Sequence, residues 1–216
     1  IEVKAVGVCG TDVHFIHGTF PPPPEVPVTL GHEYAGIVVE TGDKVDGIKE
    51  GDRVSAHYST SCGDCVYCNQ GLDNLCLNRM DLGYNAGDGG FAEYALLPAR
   101  NAFVMPEHIP MDHGAIIGCA VTTPFHAIKV RGALKVGDRV AVYGLGGVGM
   151  HAVQWAKVLG ASKVIGVDVM EYKLNMAKEF GADCVVNAGE VDPAKAIYDA
   201  TDGLGADLVV DCVAHE

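Results

Sequence analysis

Four short apolar, β-branched runs, at residues 139–143, 163–167, 184–187 and 208–211, alternate with stretches whose apolar residues recur at helical spacing. Strand then helix in regular succession leaves few folds open, because a parallel neighbour is reached only through a right-handed crossover. The first run ends at Tyr143 and is followed by Gly144-Leu145-Gly146-Gly147-Val148-Gly149, a GxGxxG pattern. It opens a helix predicted to carry Val148, Ala152, Trp155, Ala156 and Leu159 on one face. Nineteen residues past Gly149, at the end of the next run, stands Asp168. In that order the first glycine permits the turn, the second lets backbone amides approach a pyrophosphate, and the third lets the helix pack on its strand. Gly144, Gly146, Gly147, Val148 and Gly149 are therefore expected to form a dinucleotide cradle. Asp168 should accept from the adenosine ribose hydroxyls and repel a 2′-phosphate, which favours NAD over NADP. Lys173, the nearest cation, reads either as a second ribose contact or as an exposed helix-surface lysine.

Residues 1–121 have another texture. Segments 3–8, 34–40, 53–58 and 91–97 are β-rich and bounded by Gly, Asp or Pro, which predicts a small β barrel or sandwich. A helix is expected at 124–131, and the chain divides into domains 1–121 and 122–216. The prolines from Pro21 to Pro24 and on to Pro27 read as an extended connector, since proline offers no ladder donor and disfavours helix before it. Gly-Asp-Arg-Val occurs at 51–54 and again at 137–140, one turn solution used twice.

The 216 residues include 15 Lys and Arg against 28 Asp and Glu, a formal net charge of −13. Such a surface repels phosphate backbones and anionic lipid, so neither nucleic acid nor membrane is an expected partner. The longest polar-poor stretch, 114–125, contains Thr122, Thr123 and Pro124 and is too short to span a bilayer. The first residues already alternate like a strand with no signal-type segment before them, so the chain reads as starting inside a domain and as cytoplasmic.

Four of the eight cysteines fall within fifteen residues as Cys62, Cys65, Cys68 and Cys76. Two-residue gaps let thiolates converge on one ion about 2.3 Å from each sulfur, and four thiolates close a tetrahedral structural zinc site. A redox CxxC or a disulfide pair needs no such quartet. A second set is dispersed: Cys9 in Cys9-Gly10-Thr11-Asp12-Val13-His14, His32 in Gly31-His32-Glu33, and Cys119 in Gly118-Cys119-Ala120. Two cysteines and a histidine make an open zinc site when they meet. From spacing alone each also reads as core: Cys119 as packing, His32 as a hydrogen-bonded core histidine, Cys9 as a small hydrophobe.

Taken together and in this order, CGTDVH, GHE, the four-cysteine lobe, Gly-Cys before Thr123, GxGxxG and Asp168 resemble the zinc-dependent medium-chain alcohol dehydrogenase family, from about Val3 onward. The resemblance implies an α/β protein with a GroES-like β-barrel catalytic domain and a Rossmann doubly wound parallel-sheet domain. It implies Cys9, His32 and Cys119 as ligands of a catalytic zinc, with Glu33 close behind the metal and Asp12 orienting His32. Thr11 and His14 would form a proton relay, Thr123 would contact the cofactor, and Phe20 and Tyr58 would wall the alcohol pocket or else belong to ordinary aromatic core. His14 taken alone reads equally as a surface histidine. Two zinc ions and NAD are the implied cofactors, and a small alcohol, polyol or hydroxy amino acid the substrate, oxidised to an aldehyde or ketone. The competing reading is a catalytically inactive zinc- and nucleotide-binding fragment or pseudoenzyme: the presence of Thr11, His14 and all three open-site ligands argues against a pseudoenzyme but not against an inactive fragment. A zinc-free quinone reductase would lack the cysteine lobe.

Two departures accompany the resemblance. Gly10 stands where some relatives carry a basic residue for the cofactor pyrophosphate. The nucleotide fold has six strands in order 3-2-1-4-5-6, and only four are legible before the last residue. The chain is thus expected to be incomplete, its fourth strand an apolar edge. The parent is expected as a homodimer or homotetramer, an assembly this chain would lack.

Overall fold

The protein is described as a computed structural model covering residues 1–21 and 27–213. Residues 22–26 of the expected proline connector lie outside the described residues. Two compact units result, Ile1–Cys119 and Ala120–Glu216.

In the first unit, β1 (Glu2–Gly7), β2 (Glu33–Ile37), β3 (Arg53–Ala56) and β6 (Ala102–Val104) form an antiparallel sheet in the order β1-β2-β3-β6. Alternation gives each face its own core. Tyr34 and Ala56 pack with Ala95, Val3 and Val6 on one side. Ala35 packs with Met105 and Ala115 on the other, where α2 (Met111–Ile116) covers the sheet. A second, two-stranded ribbon pairs β4 (Ser59–Thr60) with β5 (Met80–Asp81) and closes the base of the cysteine lobe between them.

The strand predicted at 91–97 is absent. That segment runs beside the start of β1, with Val3 N donating to Glu93 O and Ala95 N to Ile1 O. Its contact with β1 is a single bridge, Glu2 to Tyr94. The segment lies along the edge of β1 opposite β2, and the pairing of β1 with β2 shifts register at a bulge between Val3 and Ala5. The elements β4, β5, β6 and α2 went unforeseen, as did the helix α1 (Gly10–Ile16) inside the CGTDVH run.

In the second unit, β7 (Arg139–Tyr143), β8 (Lys163–Asp168), β9 (Cys184–Asn187) and β10 (Leu208–Asp211) are all parallel, in the order β10-β7-β8-β9. Read from β7, this is the expected 3-2-1-4. Alternate residues feed opposite faces: Val140, Val142 and Val164 join Met150, Ala152 and Val153 of α4 (Gly147–Val158) and Leu174 of α5 (Glu171–Glu179). Ala141, Ile165 and Val167 join Ile197 of α6 (Pro193–Ala200). Helices on both faces make the sheet doubly wound. The buried face of α4 is rotated from the expected one: Met150 and Val153 are buried with Ala152 and Ala156, while Val148 is half-buried. The predicted helix at 124–131 is split, α3 (Thr122–Phe125) giving way to a π-helical stretch His126–Arg131 that closes with Gly132 N on Ala127 O.

Candidate active site and cofactor pocket

The four lobe cysteines converge. Their sulfurs lie 3.5 Å apart for Cys65–Cys68 and Cys62–Cys76, 3.9 Å for Cys65–Cys76 and 4.0 Å for Cys62–Cys68. A tetrahedron of sulfurs about 2.3 Å from a zinc ion has edges of about 3.8 Å. A disulfide would bring two sulfurs to about 2.05 Å, and all eight cysteines are free thiols. The donor set and its size fit zinc. Two 3₁₀ turns, Cys68–Gln70 and Asp73–Leu75, shape the loop, and Gly71 at φ 72° ends the first of them.

The dispersed set converges as well. Donor atoms of Cys9, His32, Glu33 and Cys119 all lie within 4.8 Å of one another. They come from three separate pieces of local structure: Cys9 precedes α1, His32 leads into β2 and Glu33 begins it, and Cys119 sits in the π-helical stretch Ile117–Val121. Widened turns of this kind are frequent at functional positions. Asp12 binds the pieces together. Its Oδ2 accepts from Cys9 N at 2.9 Å, its Oδ1 accepts from Gly31 N at 3.3 Å and stands 3.6 Å from His32 Nδ1. The Cys9 bond also anchors the first turn of α1, and an acid three residues into that helix is the signal that could have found it.

The electrostatics are those of a cluster built around positive charge. A hydrogen bond from Cys119, helped by His32, holds the Cys9 thiol down at about 3, and Cys119 is pushed well up by the same bond and by burial. Burial would lower His32, but Asp12 and Cys9 outweigh it and raise it to about 10. Burial raises Glu33. A divalent cation supplies that charge in place of the protons, so its binding releases them. Two thiolates, an imidazole and a nearby carboxylate are a zinc donor set. Glu33 is closer to the other donors than a residue behind the metal would need to be.

A cavity of about 290 Å³ opens on this cluster, lined by Thr11, His32 and Cys119 together with Phe20 and Tyr58. Tyr58 packs against His32 at 5.0 Å between ring centroids, and burial raises its phenol to about 12, so it stays neutral. Thr11 Oγ1 is 3.7 Å from Cys9 Sγ. His14, one turn further along α1, is exposed, bonds Thr19 Oγ1 through Nδ1 at 2.8 Å and stacks on Phe20. Phe15, Tyr84, Arg79 and Asp81 also line the cavity and were not singled out from sequence. The last two flank Met80, Arg79 just before β5 and Asp81 at its end.

The second unit holds a separate cavity of about 460 Å³, lined by Gly144, Gly146, Asp168 and Lys173 among others. Gly144 adopts φ 81°, and a methyl at Gly149 would run into the Gly144 carbonyl, so both positions require glycine. Gly146 faces open space, and Gly147, Val148 and Gly149 form the first turn of α4, whose amides make an anion site. Asp168 is nearly buried and accepts from the amides of Leu145 at 2.8 Å, Val169 at 2.8 Å and Met170 at 3.0 Å. Burial opposes its ionisation, but the Leu145 and Met170 amides win and hold it below the usual carboxylate value. Lys173 Nζ stands 3.4 Å from Asp168 Oδ2 rather than alone. Thr123 is exposed on α3 and is not among the residues lining this cavity.

Comparison with known proteins agrees with this geometry. Residues 1–107 match the alcohol dehydrogenase GroES-like domain and residues 147–216 the zinc-binding dehydrogenase family. An alcohol dehydrogenase from Geobacillus stearothermophilus is 42% identical over 97% of this chain, which spans 61% of that relative's length. A zinc-binding dehydrogenase from Sinorhizobium meliloti, solved bound to NADP, superposes with a TM-score of 0.90 at 40% identity over 99% of this chain and 62% of its own. An alcohol dehydrogenase from Escherichia coli, solved with NADH, gives 0.88 at 33% identity over 100% of this chain and 61% of its own. The chain belongs to the zinc-dependent medium-chain alcohol dehydrogenase family. Its architecture is that family's, a GroES-like unit joined to a Rossmann-type parallel sheet.

Proposed function

We propose that the protein oxidises a primary or secondary alcohol to an aldehyde or ketone with zinc and NAD as cofactors. The observation that carries this reading is the meeting of Cys9, His32, Glu33 and Cys119 donor atoms beside a small cavity that His32 and Cys119 line. Cys9, His32 and Cys119 would hold the catalytic zinc, with Glu33 adjacent, and Cys62, Cys65, Cys68 and Cys76 the structural one. When bound, the metal acts as a Lewis acid on the alcohol oxygen, and NAD takes up the hydride. Thr11 Oγ1, at the cavity wall, would take the hydroxyl proton while releasing its own, which the ribose hydroxyls of a bound cofactor would pass to His14, exposed one turn along the same helix, and so to solvent. Phe20 and Tyr58 exclude water from the reacting carbon.

Gly144, Gly146, Gly147, Val148 and Gly149 would cradle the pyrophosphate, with Thr123 and Lys173 as further cofactor contacts. One solved relative carries NADP and another NADH, so the choice of NAD rests on the charge of Asp168, which a 2′-phosphate would meet directly. An inactive zinc- and nucleotide-binding relative is not favoured, because Thr11, His14 and all three open-site ligands are present. Residues 1–121 would serve as the catalytic domain and 122–216 as the NAD domain. Among the described residues no helix is long and apolar enough to cross a membrane. Eight free thiols support a reducing, cytoplasmic setting. A homodimer or homotetramer is the assembly we infer for the full-length parent.

Replacing Thr11 by Ala tests the reading. Zinc content should be unchanged while alcohol-dependent NAD reduction falls roughly 10²- to 10⁴-fold, and Thr11→Ser should be mild. Equal rates in the Ala and Ser variants would remove Thr11 from the proton path, and no alcohol oxidation by the parent would remove the activity.

A further inference from the structure

The cavity beside the Cys9 cluster is not the plain apolar slot that suits a simple alkanol. Part of its wall is aromatic: Phe15 stacks on Tyr84 at 4.7 Å and meets Phe20 edge-on at 5.6 Å. Another part is an ion pair. Arg79 donates from Nε and Nη2 to the two oxygens of Asp81, both at 3.0 Å. The pair is held where it is by the ribbon at the base of the cysteine lobe: Asp81 is paired with Ser59 across β4 and β5, and Leu82 N donates to Tyr58 O at 3.0 Å. Arg79 and Asp81 therefore stand beside Tyr58 because the lobe returns the chain there.

The chemistry of that wall is selective. Arg79 only donates and Asp81 only accepts, while the neutral Tyr58 hydroxyl does both. The wall carries no net charge, because each ion neutralises the other. A hydroxyl donates and accepts, so it can bond to Asp81 and to the remaining donors of Arg79 without parting them. A phosphate or carboxylate must compete with Asp81 for Arg79 and is repelled by it. An unsubstituted alkanol strips water from both ions and returns no hydrogen bond, which leaves charged groups poorly satisfied. The aromatic rings suit the C–H faces of a carbon chain. About 290 Å³ lies near the lower end of the roughly 300–1,000 Å³ typical of small-molecule sites, which calls for a short substrate.

We propose that the substrate is a short, neutral polyhydroxylated alcohol whose hydroxyls away from the reacting carbon are read by Arg79 and Asp81. This rests on the alcohol dehydrogenase reading above and names the substrate class for that same site. Arg79 and Asp81 are specificity residues: the carbinol carbon still gives its hydride to NAD and its hydroxyl proton to Thr11.

Butan-1-ol, erythritol and erythritol 4-phosphate share a four-carbon chain and isolate the effect. The zinc-loaded protein is assayed for NAD reduction with each, and binding of each is measured separately by titration calorimetry. The parent should prefer erythritol in both readouts. Arg79→Leu combined with Asp81→Leu, which leaves neither charge unpaired, should lower the erythritol to butan-1-ol ratio of kcat/KM at least tenfold, chiefly through KM, with a matching change in the binding ratio. Asp81→Asn, which keeps the shape should the double variant fold poorly, should weaken erythritol and improve the phosphate. A parent that binds butan-1-ol or the phosphate better than erythritol, or ratios unmoved in both variants, would overturn the proposal. A parent that binds erythritol through Arg79 and Asp81 but oxidises no alcohol would uphold it and sink the activity reading instead.

Discussion

The carboxylate of Asp12 stands 3.6 Å from His32 Nδ1 while taking the amides of Cys9 and Gly31, so one buried side chain fixes both a thiolate-bearing segment and an imidazole. The bond to the ring raises the basicity of His32 and selects which nitrogen is free for a metal. Asp12→Asn keeps the volume but has one acceptor oxygen where three partners now share two. Zinc affinity at the Cys9–His32–Cys119 site should fall roughly 10- to 100-fold, with the lobe zinc unaffected. Competition with a graded series of chelators measures both. Equal loss from the two sites would point to general unfolding instead.

The cysteine lobe has almost no core. Val66, Leu75 and Leu77 are exposed, and of its four thiols only Cys76 is buried. Metal–sulfur bonds take the place of apolar burial. Cys65→Ser should lose one zinc equivalent, retain the other, and unfold at lower temperature, as read by metal analysis and calorimetry. Because the lobe ends in β4 and β5, the variant should also bind its alcohol more weakly.

At Asp168 two jobs coincide. Its carboxylate accepts the Leu145 amide inside the glycine turn, and it lines the cavity proposed for the cofactor. Asp168→Ser should narrow the NAD over NADP preference by about tenfold, equivalent to ~1.4 kcal/mol. It should also cost about 1–3 kcal/mol of stability from the amide left without its acceptor. Kinetics with both cofactors and denaturant unfolding separate the two effects. A stability loss with an unchanged cofactor ratio would confine Asp168 to the turn.

Arg139 and Asp207 join β7 to the start of β10, with Nε and Nη2 each donating at 2.7 Å. The pair lowers Asp207 from 3.8 to about 2. A depressed carboxylate contributes stability that is present above its unfolded value and lost as pH falls through its folded one. Arg139→Leu should therefore be less stable than the parent at neutral pH. That difference should shrink between about pH 4 and pH 2 and be nearly gone below it, as followed by denaturant titrations at stepped pH. A gap that stays constant to pH 2 would mean the pair is not its source.

Much of this was legible because local pattern and covalent neighbours carry it. Strand order in the second unit follows from alternating strand and helix with right-handed crossovers, and Gly144 to Gly149 announce their turn because only glycine tolerates the φ of Gly144 and the contact at Gly149. The lobe cysteines lie close enough in sequence that two-residue gaps nearly dictate a shared ion. Other features had no such signal. The segment 91–97 has strand composition but meets the free edge of β1 in a single bridge, and β6 is held by a partner distant in sequence. Cys9, His32 and Cys119 are separated by up to 110 positions, and spacing alone left them between core and ligand. Only the folded sheet, with Asp12 tying two of the segments, brings their donor atoms within 4.8 Å. Arg79 and Asp81 acquire meaning the same way, because a charged pair becomes a recognition surface only when the tertiary fold turns it into a cavity.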